Sequence, residues 1–256
     1  MVASKLSLGS LAILLVSAYA SPTDFLTVDK RTTVLADGTS PAAVVGNLPD
    51  WGLIFRASGY LAKDECVSTS INTCYTQKLS ASSTENIDSG LSSNGDVQTN
   101  FISTDAVEAN GDITEYVFKL FLKSGLSTPS SAGSVPLVQV VSKEPADGQG
   151  SATKVWLDAR DDKAGIYAFS NTPVVSVPLS EFENKTTIHT WTVRGGTRGW
   201  ANIEIKDEAT SNVILEYLVG QPVAIDSYRM RVGPTRLANS NSPYTASFGD
   251  WSAQLL

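Results

Sequence analysis

The chain has 256 residues and a formal net charge of −7 at pH 7. That length is ample for one hydrophobic core and fits a single all-β domain, a class that often exceeds about 200 residues. The acidic balance, with no basic block anywhere, argues against nucleic acid as a partner.

Residues 1–20 read as a secretory signal peptide. Lys5 supplies the positive start, 6–16 is a short apolar run, and Ala18-Tyr19-Ala20 gives a small-x-small cleavage site. The run is too short to span a bilayer, and no other segment approaches the roughly 20 apolar residues a span requires. Lys30-Arg31 looks like a dibasic processing site, so 21–31 is expected to be a propeptide and 32–256 the mature domain. The expected product is secreted, extracellular and monomeric, with no membrane span. The two cysteines, Cys66 and Cys74, are expected to close a local disulfide in an oxidising compartment. Zinc would need more ligands, and the only histidine, His189, is far away in the chain. Asn184-Lys185-Thr186 is a glycosylation sequon, which would put its loop at the surface.

From there the chain reads as short alternating segments broken by Gly, Asn, Asp, Ser and Pro, with almost no helical periodicity. Residues 77–111 are polar, and Asn94-Gly95-Asp96 and Asn110-Gly111-Asp112 read as turns. The predicted strands are 113–123, 137–143, 154–160, 166–170, 187–194, 200–206, 212–218, 228–236 and 246–255, with 124–134 a loop. Regular strand spacing with no helices between implies antiparallel pairing in a sandwich or barrel.

Period two sorts each strand into faces. In 113–123, Tyr116, Phe118, Leu120 and Leu122 should be core, leaving Glu115 and Lys119 on the other face. In 137–143, Val138 and Val140 should be core, with Gln139, Val141 and Lys143 outward. In 154–160, Val155, Leu157 and Ala159 face in while Lys154, Trp156, Asp158 and Arg160 face out. In 200–206, Trp200, Asn202 and Glu204 oppose Ala201, Ile203 and Ile205. In 228–236, Tyr228, Met230 and Val232 point one way, Arg229, Arg231, Gly233 and Thr235 the other. Two guanidinium groups about 7 Å apart on one surface suit an anion lying across them. Surfaces that mix Trp with charged and amide groups suit sugars, whose C–H faces pack on indole rings while hydroxyls bond to polar groups.

Three motifs and a closing strand carry a resemblance. Glu115 and Lys119 set an acid and a base on one face. Gln139-Val140-Val141 follows. Arg229-Met230-Arg231-Val232-Gly233-Pro234-Thr235 keeps a basic residue and a glycine, and Phe248-Gly249-Asp250-Trp251-Ser252-Ala253-Gln254 closes the chain. Over about residues 110–256 these resemble, in spacing and order, the Arg-x-Glu-x-Arg, Gln-x-His and Tyr-Phe-Lys-Ala-Gly-x-Tyr strands of jelly-roll polysaccharide lyases of the alginate and glucuronan lyase type. Residues 32–110 match nothing in that pattern.

The resemblance implies an all-β, antiparallel, concanavalin A-like jelly-roll sandwich. It also implies a polysaccharide or other glycan partner bearing uronates, cleaved by β-elimination. That reaction needs a neutraliser of the uronate carboxylate, a base for the C5 proton and an acid for the leaving oxygen. Gln139 and Arg231 fit the first role, with Arg229, Glu115, Lys119, Trp156 and Arg160 as further substrate contacts. The family's histidine falls at Val141 and its second tyrosine at Thr235, so the proton-transfer role passes to Tyr244, Tyr167 or His189. Two alternatives stay open: a catalytically silent, lectin-like carbohydrate-binding jelly roll, and a glycoside hydrolase using a carboxylate pair from Glu115, Asp158 and Glu204. No cofactor is expected. Such folds leave room for a structural Ca²⁺; Asp158, Asp161, Asp162 and Asp250 offer oxygen ligands, but no spaced ligand loop exists and the metal is left unassigned.

Overall fold

The computed structural model describes residues 32–66, 70–82, 84–90, 97–103, 111–129, 133–143, 153–218, 225, 227–236 and 242–256. The signal peptide, the propeptide with Lys30-Arg31, and the Asn94-Gly95-Asp96 turn lie outside the described residues. So do the Asn110 end of the second turn and 130–132 of the 124–134 loop.

Seventeen strands account for most of the described residues, which include no α-helix. In chain order the first six are β1 (Thr33–Asp37), β2 (Val44–Leu48), β3 (Leu53–Ala57), β4 (Tyr60–Lys63), β5 (Cys74–Leu79) and β6 (Val97–Ser103). The middle of the chain forms β7 (Ile113–Leu122), β8 (Val135–Ser142), β9 (Thr153–Arg160), β10 (Lys163–Ala168) and β11 (Pro173–Pro178). Then come β12 (Thr186–Arg194), β13 (Trp200–Asp207), β14 (Val213–Leu218), β15 (Tyr228–Val232), β16 (Thr235–Arg236) and β17 (Tyr244–Leu255). Short 3₁₀ turns occur at Pro49–Trp51 and Leu179–Glu181.

The strands form two antiparallel sheets. One has eight strands in the order β1-β4-β5-β17-β7-β12-β13-β14; the other has nine, in the order β11-β10-β9-β8-β15-β6-β3-β2 with β16 paired to β6 off that path. Their inner faces share one core. The eight-stranded sheet contributes Tyr116, Phe118, Leu120, Trp191, Ile203, Ile205 and Phe248. The nine-stranded sheet contributes Phe101, Val138, Val140, Leu157, Ile166, Met230 and Val232. These residues sit at alternate positions in their strands, which is what a sheet with one buried face requires. The expected inward sets of 113–123, 154–160, 200–206 and 228–232 are all buried. Tyr228 ties the sheets together, its hydroxyl donating to Val193 O at 2.9 Å. The strands of Arg31–Leu256 make up one compact unit.

The expected jelly-roll sandwich is therefore present, with more strands than the sequence revealed. β1 to β6 and β11 all lie outside the nine predicted segments. The disulfide between Cys66 and Cys74 is formed. Asn184 is exposed in a tight turn (φ 56°), where its Oδ1 accepts a hydrogen bond from Ser124 N at 3.1 Å. No helix among the described residues is long and apolar enough to cross a membrane.

Candidate functional site

The outer face of the nine-stranded sheet gathers most of the polar residues picked out by parity. Directly opposed residues of antiparallel strands share a face. One row across this sheet therefore runs Tyr167, Trp156, Gln139, Arg231, Ile102 and Ile54, from β10 to β3. Arg231 and Gln139 meet in its centre, with Arg231 Nη1 donating to Gln139 Oε1 at 3.2 Å. Gln139 Nε2 in turn donates to Thr153 Oγ1 at 3.0 Å. Both side chains are nearly buried, at 6% and 7% exposure for Gln139 and Arg231. They form the floor of the face, not its rim.

Arg229 shares the face as expected, but its donors go to main-chain carbonyls: Nη1 to Ser103 O at 2.7 Å and Nε to Lys143 O at 3.3 Å. It fastens β15 to the ends of β6 and β8. Gly233, one residue beyond β15, has φ +114°, and a Cβ there would lie 2.4 Å from Thr99 O. Only glycine lets the chain turn this closely onto β6, which brings Thr235 beside Gln98.

Beside β15 lies β6, whose outer face presents Gln98 and Asn100. Asn100 Nδ2 donates to Gln98 Oε1 at 2.9 Å and to Thr235 Oγ1 at 3.2 Å. Gln98 Nε2 donates to Asp88 Oδ2 at 2.8 Å. Asp88, fully buried, also takes a bidentate pair from Arg56 at 2.7 and 2.9 Å. These hydrogen bonds, with Arg56 the charged one, hold the Asp88 carboxyl below its ordinary range although burial pushes it up. Parity did not single out this network: Asp88, Gln98 and Asn100 fall in the polar stretch 77–111, and Arg56 lies on β3, outside the nine predicted segments.

On the other side of the Gln139–Arg231 pair, Trp156 stacks on Tyr167 with ring centroids 5.4 Å apart and planes 13° from parallel. The Arg160 guanidinium lies 4.9 Å from the Tyr167 ring centre. Asp158, fully buried, accepts from Arg160 Nη2 at 3.0 Å and from Trp156 Nε1 at 3.4 Å.

Several expected site residues lie elsewhere. Glu115 and Lys119 stand on β7, which pairs with β12 and β17 in the eight-stranded sheet, so they belong to the opposite side of the sandwich from Gln139 and Arg231. Lys119 is held there by Glu208 at 2.7 Å, Asp250 at 3.0 Å and Ser70 O at 3.0 Å. Parity chose the correct face of the strand but cannot say which sheet the strand joins. His189 is fully buried, stacked on Phe118 at 4.8 Å and bonded through Nε2 to Thr187 Oγ1 at 2.9 Å. Burial pushes its pKa down to about 3. It is a core residue, so a catalytic role at the surface is corrected to a packing one. Tyr244 begins β17 and shares the inward parity of Ala246 and Phe248. It is 1% exposed, and burial raises its phenol pKa. It too faces the core. Tyr167 remains on the polar face, but stacked on Trp156 and three strands over from β15. Of the carboxylates weighed for hydrolysis, Asp158 lies on the nine-stranded sheet, away from Glu115 and Glu204, which share the outer face of the eight-stranded sheet on either side of β12.

The aspartates weighed for Ca²⁺ also stand apart. Asp250 accepts Asn72 N and Thr73 N at 3.1 Å, whereas Asp162 accepts Thr128 N at 2.8 Å in the β9–β10 turn. Among the described residues no three His, Cys, Asp or Glu side chains gather as a metal-binding group. Two clefts, of about 760 and 410 Å³, open elsewhere; neither includes Gln139 or Arg231.

No protein-family model matches the sequence, and no curated protein matches it. Solved structures do. The endo-β-1,4-glucuronan lyase of the fungus Trichoderma reesei superposes with a TM-score of 0.55 at 10% identity, over 83% of this chain and 94% of that one. An alginate lyase from Corynebacterium sp. gives 0.48 at 10% identity, over 71% and 77%. A Lotus tetragonolobus seed lectin gives 0.41 at 11% identity, over 80% and 94%. The chain shares the jelly-roll sandwich fold of the glucuronan lyase, at 10% sequence identity.

Proposed function

We propose that the outer face of the nine-stranded sheet binds an acidic, uronate-containing polysaccharide, and that it does so as a binding surface without β-elimination chemistry. The carrying observation is the opposed Gln139–Arg231 pair at the centre of that face, 3.2 Å apart. An amide and a guanidinium side by side are the donors that a sugar carboxylate requires. The fold shared with the endo-β-1,4-glucuronan lyase supports a glycan ligand.

Elimination needs a base and an acid in reach of the same sugar. The positions the lyase resemblance assigns to them hold Val141 and Thr235. Among the described residues, Tyr167 is the one tyrosine facing this side, and its ring is engaged with Trp156 and Arg160. A secreted location fits the formed Cys66–Cys74 bridge.

Two measurements test this. The purified protein is titrated calorimetrically with polyglucuronate and with alginate, and the same mixtures are followed at the ultraviolet absorbance of unsaturated uronate products. Binding with no absorbance rise is expected, and Arg231→Gln should weaken binding at least about tenfold. A sustained absorbance rise would show a lyase; no binding to any uronan would remove the acidic-glycan reading.

A further inference from the structure

Asp158 is a buried carboxylate paired with the Arg160 guanidinium. It sits at 0% exposure, and a buried carboxylate is costly unless its lone pairs are filled. Its Oδ2 is occupied by Arg160 Nη2 and Trp156 Nε1, but its Oδ1 makes no hydrogen bond of normal geometry. Trp156, Asp158 and Arg160 alternate along β9, so all three point to the sugar-facing side. Opposite them stand Tyr167 and Gly165 on β10 and Gln139 and Pro136 on β8.

One carboxylate oxygen thus holds the indole N–H and the guanidinium at once. Each is further fixed by Tyr167, the indole by stacking at 5.4 Å and the guanidinium by lying over the ring at 4.9 Å. The Arg160 side chain keeps 28% exposure. The result is a ladder of ring, ring and cation with one outward charge.

We infer that Asp158 is a positioning residue that locks Trp156 and Arg160 into a second sugar subsite, next to the Gln139–Arg231 pair and taking another residue of the same acidic chain. The inference rests on the acidic-glycan reading for its ligand. Trp156 lies one strand, about 4.8 Å, from Gln139. A sugar ring over the indole would bring its carboxylate or hydroxyls to Arg160. An unanchored Arg160 would have to be ordered at each binding event, which costs affinity.

The environment of Asp158 makes the lock sensitive to protons. Burial is the largest effect and raises the Asp158 pKa to about 6, against the Arg160 charge on its own strand and the nearby polar groups of Ser134 and Trp156, which favour the carboxylate. Tyr167 faces it uncharged from β10, and Asp161 in the following turn adds negative charge near Tyr167. Above pH 6 the carboxylate clamps Arg160; below it the acid forms and the charge attraction goes.

The test compares wild type, Asp158→Asn and Arg160→Gln, each titrated with polyglucuronate oligosaccharides at pH 7 and pH 5, together with a tryptophan fluorescence titration in the absence of glycan. Both variants are expected to bind roughly tenfold more weakly at pH 7. Wild type should weaken on going to pH 5, a change Asp158→Asn should lack. Wild-type fluorescence should show a transition near pH 6 that disappears in Asp158→Asn. Arg160→Gln alters a partly exposed position and so guards against misfolding of the buried variant. Wild-type affinity in both variants, or a fluorescence transition kept in Asp158→Asn, overturns the inference. If wild type binds no uronan, the acidic-glycan reading fails first, and the fluorescence titration still decides whether Asp158 holds the ladder.

Discussion

Single residues in this protein respond to acid in opposing directions. His189 is pushed down to about 3 by burial, whereas an unfolded chain takes the proton near 6.5. Stability due to this group is complete above pH 6.5 and is lost as pH falls from there toward 3. Asp158 runs the other way. Its folded pKa is raised from 3.8 to about 6, so the unfolded chain gives up the proton first. The cost of the buried charge is present above pH 6 and is relieved as pH falls toward 3.8. Urea unfolding between pH 7 and pH 4 should separate them. His189→Phe should lose less stability on acidification than wild type, and Asp158→Asn should lose more. Identical slopes in all three would contradict these assignments. Gly233→Ala should cost about 3 kcal/mol or more in thermal unfolding, since Thr99 O would meet the new methyl at 2.4 Å and the φ of +114° would be strained as well.

At this scale the sequence was a good guide to faces and a poor guide to neighbours. Alternation alone put Arg229, Arg231 and Gln139 opposite Met230 and Val140. It could not tell that Glu115 would sit on the far sheet. Nor could it tell that Tyr244 starts a strand, which fixes its parity toward the core.

At the level of elements, two of the strands that went unread, β5 and β6, bury polar residues. In β5 and β6, Thr76, Gln77, Gln98, Thr99 and Asn100 are all at or below 1% exposure. Gln77 crosses the core to donate to Thr99 O at 3.0 Å. A polar side chain can be buried at small cost when a partner is waiting, but the partner is supplied by a different strand and leaves no local trace. β11 was missed for another reason. Prolines at both its ends read as loop, yet an edge strand tolerates them because its outer N–H positions are not needed. The Asp88 hub should be among the most sensitive points of this region. Asp88→Ala leaves Arg56 and Gln98 without their shared acceptor and is expected to cost about 3–5 kcal/mol by denaturant titration. The disulfide should matter less than its chemistry suggests. Its loop is also pinned by Asp250, which accepts Asn72 N and Thr73 N, and by Lys119 on Ser70 O. A Cys66→Ser, Cys74→Ser double variant should remain folded and lose about 2 kcal/mol; failure to fold would show the bridge to be indispensable.

For the whole molecule, the decisive fact is the position of the late strands. β17 lies between β5 and β7, and β15 lies between β8 and β6. Each sheet is closed in its middle by a segment from the last part of the chain, so both halves of the sandwich depend on pairings between distant residues. A version ending at residue 243 lacks β17 and should give no cooperative unfolding transition and rapid proteolysis. A stable truncated fold would show that the two halves hold without it. The jelly-roll class was legible from strand spacing, while this interleaving was not, because periodicity records which face a strand buries and carries no information about its partner.

The same interleaving has a consequence for how the protein is made. Chains emerge from the ribosome at about 5–20 residues per second, starting from the N-terminus. For the time needed to add roughly the last thirty residues, β5, β7, β8 and β6 are already synthesised while the strands they flank are not. Four inner strands then stand as open edges, each able to pair with a passing chain. Productive folding therefore waits on translation, and a pause in that window prolongs the one period in which this sandwich is most open to joining its neighbours.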